Sequence, residues 1–218
     1  EISAIGKVKS KMSEFEDIVK DLQTEGNLSG REPTIENPSE ENDVLSANPT
    51  NAALPGTYEI AVTQLAQGSR IETARADAGG YASSDDEVLA AGSADLTFKI
   101  DNTGDEFTIS ISAGTTLSEL RELINNDENN FGVQANIINT GTVDGGAKLV
   151  FTSSVTGEGN DLQIVNDNDA AELAKLTTET SAGAPSDLSI EADNLAKNAI
   201  ASVDGIEVQS DTNKFDNT

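Results

Sequence analysis

The side chains best equipped for chemistry in this sequence are carboxylates, and they gather at Asx-rich turns. Asp101, Asn102, Asp105 and Glu106 form one oxygen-rich cluster, and Asp167, Asn168 and Asp169 form another. Hard cations such as Ca²⁺ take oxygen ligands of this kind, but neither cluster is followed by the Glu that closes an EF-hand loop. Asx side chains also favour turns by bonding their own backbone, and both clusters are read as turns. Gly157-Glu158-Gly159-Asn160 has the outline of a phosphate-binding loop. It lacks a Gly-Lys-Ser/Thr ending and leads into a strand instead of a helix, so it too is read as a loop. Paired carboxylates for glycoside hydrolysis are available by count. Aromatic residues make up only 4% of the chain, with no Trp, so a sugar cleft has almost no stacking platform.

The chain has no Cys and no His. That removes thiolate zinc sites, disulfides, the commonest general base and both common nucleophile–base pairs. No catalytic residue, metal site or cofactor is expected, and the chain is read as non-enzymatic. Asp and Glu number 39 against 13 Lys and Arg, a formal net charge of -26. Such a surface repels phosphate backbones and anionic lipid, so neither nucleic acid nor membrane is expected as a partner. No apolar run approaches the length that crosses a bilayer.

These residues are carried by a patterned chain of 218 residues, enough for one large domain or two to three small ones. Residues 2–23 read as an amphipathic helix. Ile5, Met12 and Val19 recur every seven residues, and Val8, Phe15 and Leu22 recur with an offset of three. A strict seven-residue repeat describes a narrow coiled-coil seam, and the same stripe also suits a helix packed on its own domain. Either way it needs a partner surface, and these six residues are the candidate packing site. Residues 24–53, with Pro33, Pro38 and Pro49, read as an extended connector.

Alternating Tyr58, Ile60 and Val62 predict a half-buried strand over Thr57–Leu65. Residues 76–94 are rich in Gly, Ser and Asp and read as a solvent-washed loop that holds Tyr81. Strand patterns follow at Leu96–Ile100 and Phe107–Ile111. Thr116-Leu117-Ser118-Glu119 is a capping box, which opens a helix with Leu117, Leu120 and Ile124 on one face. Further strands are expected at Val133–Ile137, Leu149–Phe151 and Leu162–Ile164. Ala199–Val203 and Ile206–Ser210 flank Asp204-Gly205, a strong hairpin signal.

Three segments resemble the filament-cap proteins of bacterial flagella, the hook-associated protein 2 family. Leu54–Gln67 is similar to that family's GTY…QLAQ signature, Ile2–Leu22 to its amino-terminal leg helix, and Ser202–Ser210 to its VDGI segment. Between them, Phe107–Ile164 resembles the small repeat inserted in flagellins and cap proteins. It carries TLSEL leading to Ile124-Asn125, then Gly132–Ala135 and Leu149–Gly157.

The resemblance implies an α+β fold: a β-rich head of two domains, one inserted in the other, on an amphipathic leg helix. The expected divisions are 1–53 as a partial leg region, 54–89 with 191–218 as the outer head domain, and 90–190 as the inserted domain. The Thr57–Leu65 strand should then pair near the 199–210 hairpin. The resemblance also implies a chain without the family's N-terminal tip and C-terminal half. It implies a structural protein, working outside the cell at the distal tip of the flagellum, that caps the filament and promotes flagellin insertion. Its implied partners are further copies in a ring-shaped homo-oligomer, flagellin, hook–filament junction proteins and an export chaperone. Other readings are a surface adhesin, for which Tyr81 is the candidate contact, and a flagellin-like filament component.

Overall fold

The computed structural model describes residues 2–23, 32–38, 44–50, 53–180 and 186–216, with side chains in the first segment described from 6 to 20. The chain divides into two units, residues 1–57 and 58–218. In the first unit the expected helix is present as α1, Ile2–Gln23. Its surface is tied by exposed ion pairs, Lys11 to Glu14 and Lys20 to Glu16, spaced three and four residues apart. The described parts of the connector have no regular secondary structure. There the Val44 N–H donates to Asn37 Oδ1 at 3.1 Å.

Among its described residues the second unit is built from ten strands and one α-helix: β1 (Ile60–Gln64), β2 (Gly68–Glu72), β3 (Ser93–Ile100), β4 (Asp105–Ser112), α2 (Leu117–Asn126), β5 (Val133–Asn139), β6 (Ala147–Thr156), β7 (Gln163–Asn166), β8 (Glu179–Thr180), β9 (Ala199–Val203) and β10 (Ile206–Ser210). They form three sheets, ordered β1-β9-β10, β2-β6-β5 and β4-β3-β7-β8. The chain is therefore α+β.

The first sheet is the pairing expected from the sequence. β1 runs antiparallel to β9, with Ile60 opposite Val203 and Val62 opposite Ala201. β10 returns on the other side of β9 through Asp204 and Gly205, at φ 51° and 82°. Two successive positive φ values are what a tight primed turn requires, and Asp-Gly adopts them cheaply.

The other two sheets and α2 share one core. β3 and β4 pair in unbroken register from Ser93 opposite Ser112 to Ile100 opposite Asp105. Four of the chain's six phenylalanines meet here. Phe98 stacks on Phe107 at 4.9 Å, touches Phe151 at 5.8 Å, and Phe131 packs edge-on against Phe107 at 5.6 Å. With so few aromatics, the remaining volume is filled by Leu, Ile and Val side chains, among them Leu117, Leu120 and Ile124 of α2. The capping box that opens α2 is complete: Glu119 N–H donates to Thr116 Oγ1 at 3.2 Å, and Thr116 N–H donates to Glu119 Oε2 at 2.9 Å.

Two expectations need correction. Residues 68–89, assigned to the outer domain, join the central body instead. β2 pairs with β6, and Ile71, Tyr81, Val88 and Leu89 enter the common core. β2 carries a single large apolar residue, and the inward position beside it is Ser69, which accepts the Leu162 N–H at 2.8 Å. Gly68 is required at its start, since a Cβ there would lie 1.9 Å from the Ser153 carbonyl oxygen. Second, the 76–94 segment is not washed by solvent throughout. It is fastened by Ala147 N–H to Tyr81 C=O at 2.9 Å and Val88 N–H to Thr115 C=O at 2.8 Å.

Two substitutions test this core and its cap by urea denaturation. Leu120→Ala is expected to lower stability by about 2–5 kcal/mol through the cavity it leaves. Thr116→Ala, which removes one half of the capping box, is expected to cost about 1 kcal/mol.

Candidate functional site

None of the clusters singled out for chemistry forms a reactive constellation. Among the described residues no group of three or more Asp or Glu side chains is placed to hold a metal ion. Asp167 accepts the Thr97 hydroxyl at 2.6 Å, and Asn168 Oδ1 accepts the Asp95 N–H at 2.6 Å, so this cluster knits β7 to β3. Asp101 lies beside the Lys99 ammonium and the Gln163 amide. Hydrogen bonds from Lys99 and then Gln163 hold its carboxyl below the usual carboxylate range. The Gly157–Asn160 loop is likewise structural. Glu158 N–H donates to Asn198 Oδ1 at 2.8 Å, and Asn160 Nδ2 donates to Thr156 C=O at 2.6 Å.

Tyr81 is 1% exposed and lies in the core, so it cannot serve as a surface contact. The Lys175 ammonium lies 4.6 Å from its ring centroid, a favourable stacking of cation on ring face. Among the described residues its hydroxyl has no hydrogen-bond partner. Burial, and then the Asp86 carboxylate, push its ionisation well above the ordinary tyrosine value.

The functional features that survive are apolar surfaces. On α1, Val8, Met12, Phe15 and Ile18 are exposed, Met12 by 69% and Phe15 by 68%. Val19 is half-buried. Ile5 and Leu22, the outer members of the stripe, lie within the helix, but their side chains fall outside the described residues. A helical row of this kind, with charged residues off the seam, has the pattern that packs against another helix.

A second apolar surface was missed as such. Cross-strand pairing puts Ile60, Val203 and Ile206 on one face of the outer sheet, with Val62, Ala201 and Val208 beside them. Ile60 and Val62 remain partly exposed, and Ile206 is 70% exposed. The alternation that revealed β1 already implied a covering layer for this face, because a half-buried strand buries one side.

Polar residues at the two signature segments tie together the two stretches of chain that enter and leave this sheet. Asp204 closes the hairpin onto β1: its N–H donates to Glu59 C=O at 2.8 Å, and its Oδ1 accepts the Glu59 N–H at 2.8 Å. Gln64 Nε2 donates to Asn198 C=O at 2.7 Å. Gln67 exchanges both backbone bonds with Lys197, at 3.0 and 2.9 Å, and its side chain reaches Asp193 and Leu195 carbonyls. The two segments thus form one seam where the chain leaves the outer sheet and returns to it.

Comparison with known proteins agrees with this geometry. The family described as "Flagellar hook-associated protein 2 N-terminus" matches residues 1–69, and "Flagellin hook IN motif" matches residues 95–155. The chain is 37% identical to the flagellar hook-associated protein 2 of Aeromonas caviae, over 100% of this chain and 42% of that protein. It is 32% identical to the A-type flagellar hook-associated protein 2 of Pseudomonas aeruginosa, over 98% of this chain and 44% of that protein. The chain therefore spans less than half the length of these relatives. Among solved structures it resembles the D2–D3 domains of the flagellar cap protein from Escherichia coli. The TM-score is 0.61 at 27% identity, over 78% of this chain and 80% of that one. The corresponding domains from Serratia marcescens give a TM-score of 0.62 at 27% identity, over 77% and 83%.

Tyr81→Phe removes a buried hydroxyl that has no partner and is expected to raise stability by about 1 kcal/mol in urea at neutral pH. An unfolded tyrosine ionises near pH ~10, while the folded site resists ionisation, so the folded state holds this proton more tightly. The contribution is complete below pH ~10 and declines as pH rises further. Stability should fall less steeply with pH above that value in the variant than in the parent.

Proposed function

The chain belongs to the flagellar hook-associated protein 2 family, and on that premise we propose that it forms the leg helix and head of a protein capping the distal end of the flagellar filament. In this reading the protein promotes insertion and polymerisation of flagellin there, outside the cell. The observation that carries it is the exposed α1 stripe upstream of a head whose outer sheet is closed by the GTY…QLAQ and VDGI segments.

The mechanism is steric. Ile5, Val8, Met12, Phe15, Val19 and Leu22 pack against a second helical surface to form a leg. Association through weakly held legs lets each one yield as a subunit adds, while the acidic head faces solvent and resists aggregation through charge repulsion. The full-length protein works as a ring-shaped homo-oligomer. It receives flagellin, sits above the hook–filament junction proteins during growth, and reaches the tip with an export chaperone's help. Residues 54–67 and 195–216 form the outer head, and the body between them is the inserted domain.

Exposure of the α1 stripe gives this reading a direct handle. Surface substitutions away from caps and buried groups change stability little, usually within about 0.5 kcal/mol. Phe15→Asp should therefore leave the folding of this chain intact while breaking the leg. Cells of the same species that lack the protein are supplied with purified full-length protein, and filament growth is scored by electron microscopy. The parent protein is expected to convert leaked flagellin into filaments, and its Phe15→Asp variant to fail. Continued leakage with a folded, ring-forming parent protein would sink the assembly reading.

A further inference from the structure

The outer edge of β5 is occupied by two asparagine side chains. β5 is an end strand of its sheet, so one row of its backbone groups points away from β6. Ala135 N–H donates to Asn125 Oδ1 at 2.8 Å, and Asn125 Nδ2 donates to Ala135 C=O at 2.8 Å. Val133 is held in the same way by Asn130, N–H to Oδ1 at 2.7 Å and Nδ2 to C=O at 2.8 Å. Exchange of both bonds with a single residue is what a neighbouring antiparallel strand provides. An asparagine amide has the donor and acceptor needed to imitate it. Both side chains are anchored. Asn125 follows the fully buried Ile124 on α2. Asn130 also donates to Ile124 C=O at 2.7 Å and accepts the Gly132 N–H at 2.9 Å.

β5 is also the end strand that most needs such a device. Exposed strand edges are protected by charge, proline or a bulge that breaks the register. β2, β4, β8 and β10 carry Arg70 and Glu72, Asp105 and Glu106, Glu179, and Glu207 respectively. β1 has no charge, but its register shifts between Val62 and Gln64. β5 reads Val-Gln-Ala-Asn-Ile-Ile-Asn, with no charge and no proline, and pairs with β6 in unbroken register. Left open, it is an uncharged edge in unbroken register with Ile138 exposed, suited to pairing with the same strand of a second copy.

We infer that Asn125 and Asn130 close β5 to strand addition and so keep copies of this chain from associating through that edge. The inference does not depend on the filament-cap reading.

Amide hydrogen exchange on the unmodified chain gives the first test. Val133 and Ala135 are expected to exchange at least about tenfold slower than freely exposed amides, as hydrogen-bonded edge groups do. Exchange at the free rate overturns the inference. The second test is Asn125→Ala with Asn130→Ala, followed by sedimentation across a concentration series. The double variant is expected to lose protection at both amides and to self-associate with rising concentration. Adding Ile138→Lys should return it to the parent chain's state of association by charging the edge. A folded double variant that has lost this protection yet associates no more than the parent chain overturns the inference. Should the double variant fail to fold, the single variants Asn125→Ala and Asn130→Ala are read by the same two measures at Ala135 and Val133 respectively; a folded single variant that has lost its protection yet associates no more than the parent chain overturns the inference.

Discussion

The antiparallel pairing of β1 with β9 is the long-range constraint that the rest of the second unit has to satisfy. It joins segments far apart in sequence, and the Glu59–Asp204 bonds that finish it span 145 residues. Closing a flexible loop of that length costs on the order of 4 kcal/mol in chain entropy. A five-residue strand with both faces partly exposed offsets little of this by itself. The intervening body resolves the difficulty by folding on its own core, which brings Gln67 and Lys197 into mutual backbone contact. Its ends are then already adjacent, and the outer sheet forms as a short extension of a preorganised seam. The glutamines of the first signature segment and the aspartate of the second serve that seam. Both occur in this sequence for a physical reason independent of any surface they present.

The central body reaches its packing with few large side chains. A single aromatic cluster around Phe98 binds the β4-β3-β7-β8 sheet to Phe151 of the neighbouring sheet, and aliphatic residues fill the remainder. The exposed Lys11–Glu14 and Lys20–Glu16 pairs on α1 add little, since such pairs contribute about 0–1 kcal/mol each. The large negative charge therefore acts on association and solubility more than on the fold. Among the described residues the α1 row and the outer-sheet face are exposed apolar surfaces, the kind whose burial offsets such repulsion.

Local patterns were legible wherever neighbours in sequence are neighbours in space. The β3–β4 alternation, the Thr116–Glu119 capping box and the Asp204-Gly205 turn each lie within a few residues, and each appears where its pattern puts it. β2 was not legible. Its one apolar residue gives no alternation, and its buried Ser69 is satisfied by Leu162, some ninety residues later in the chain (|i−j| = 93). Tyr81 was misread for the same reason: a Gly- and Asp-rich context marks a loop, but it does not say that Lys175 and the start of β6 will close over it.

The candidate surface divides along the same line. By itself the sequence determined that α1 is amphipathic, that no His or Cys chemistry exists, and that the chain leaves and rejoins an outer sheet. These follow from composition, from the seven-residue repeat and from two short signatures. The sequence also read both acidic clusters as turns, whereas only the tertiary structure decided which aromatic is buried and which strand edges are closed. Burial and edge closure are set by segments distant in sequence, whose approach depends on the packed core, whereas periodicity and turn chemistry are set by adjacent residues.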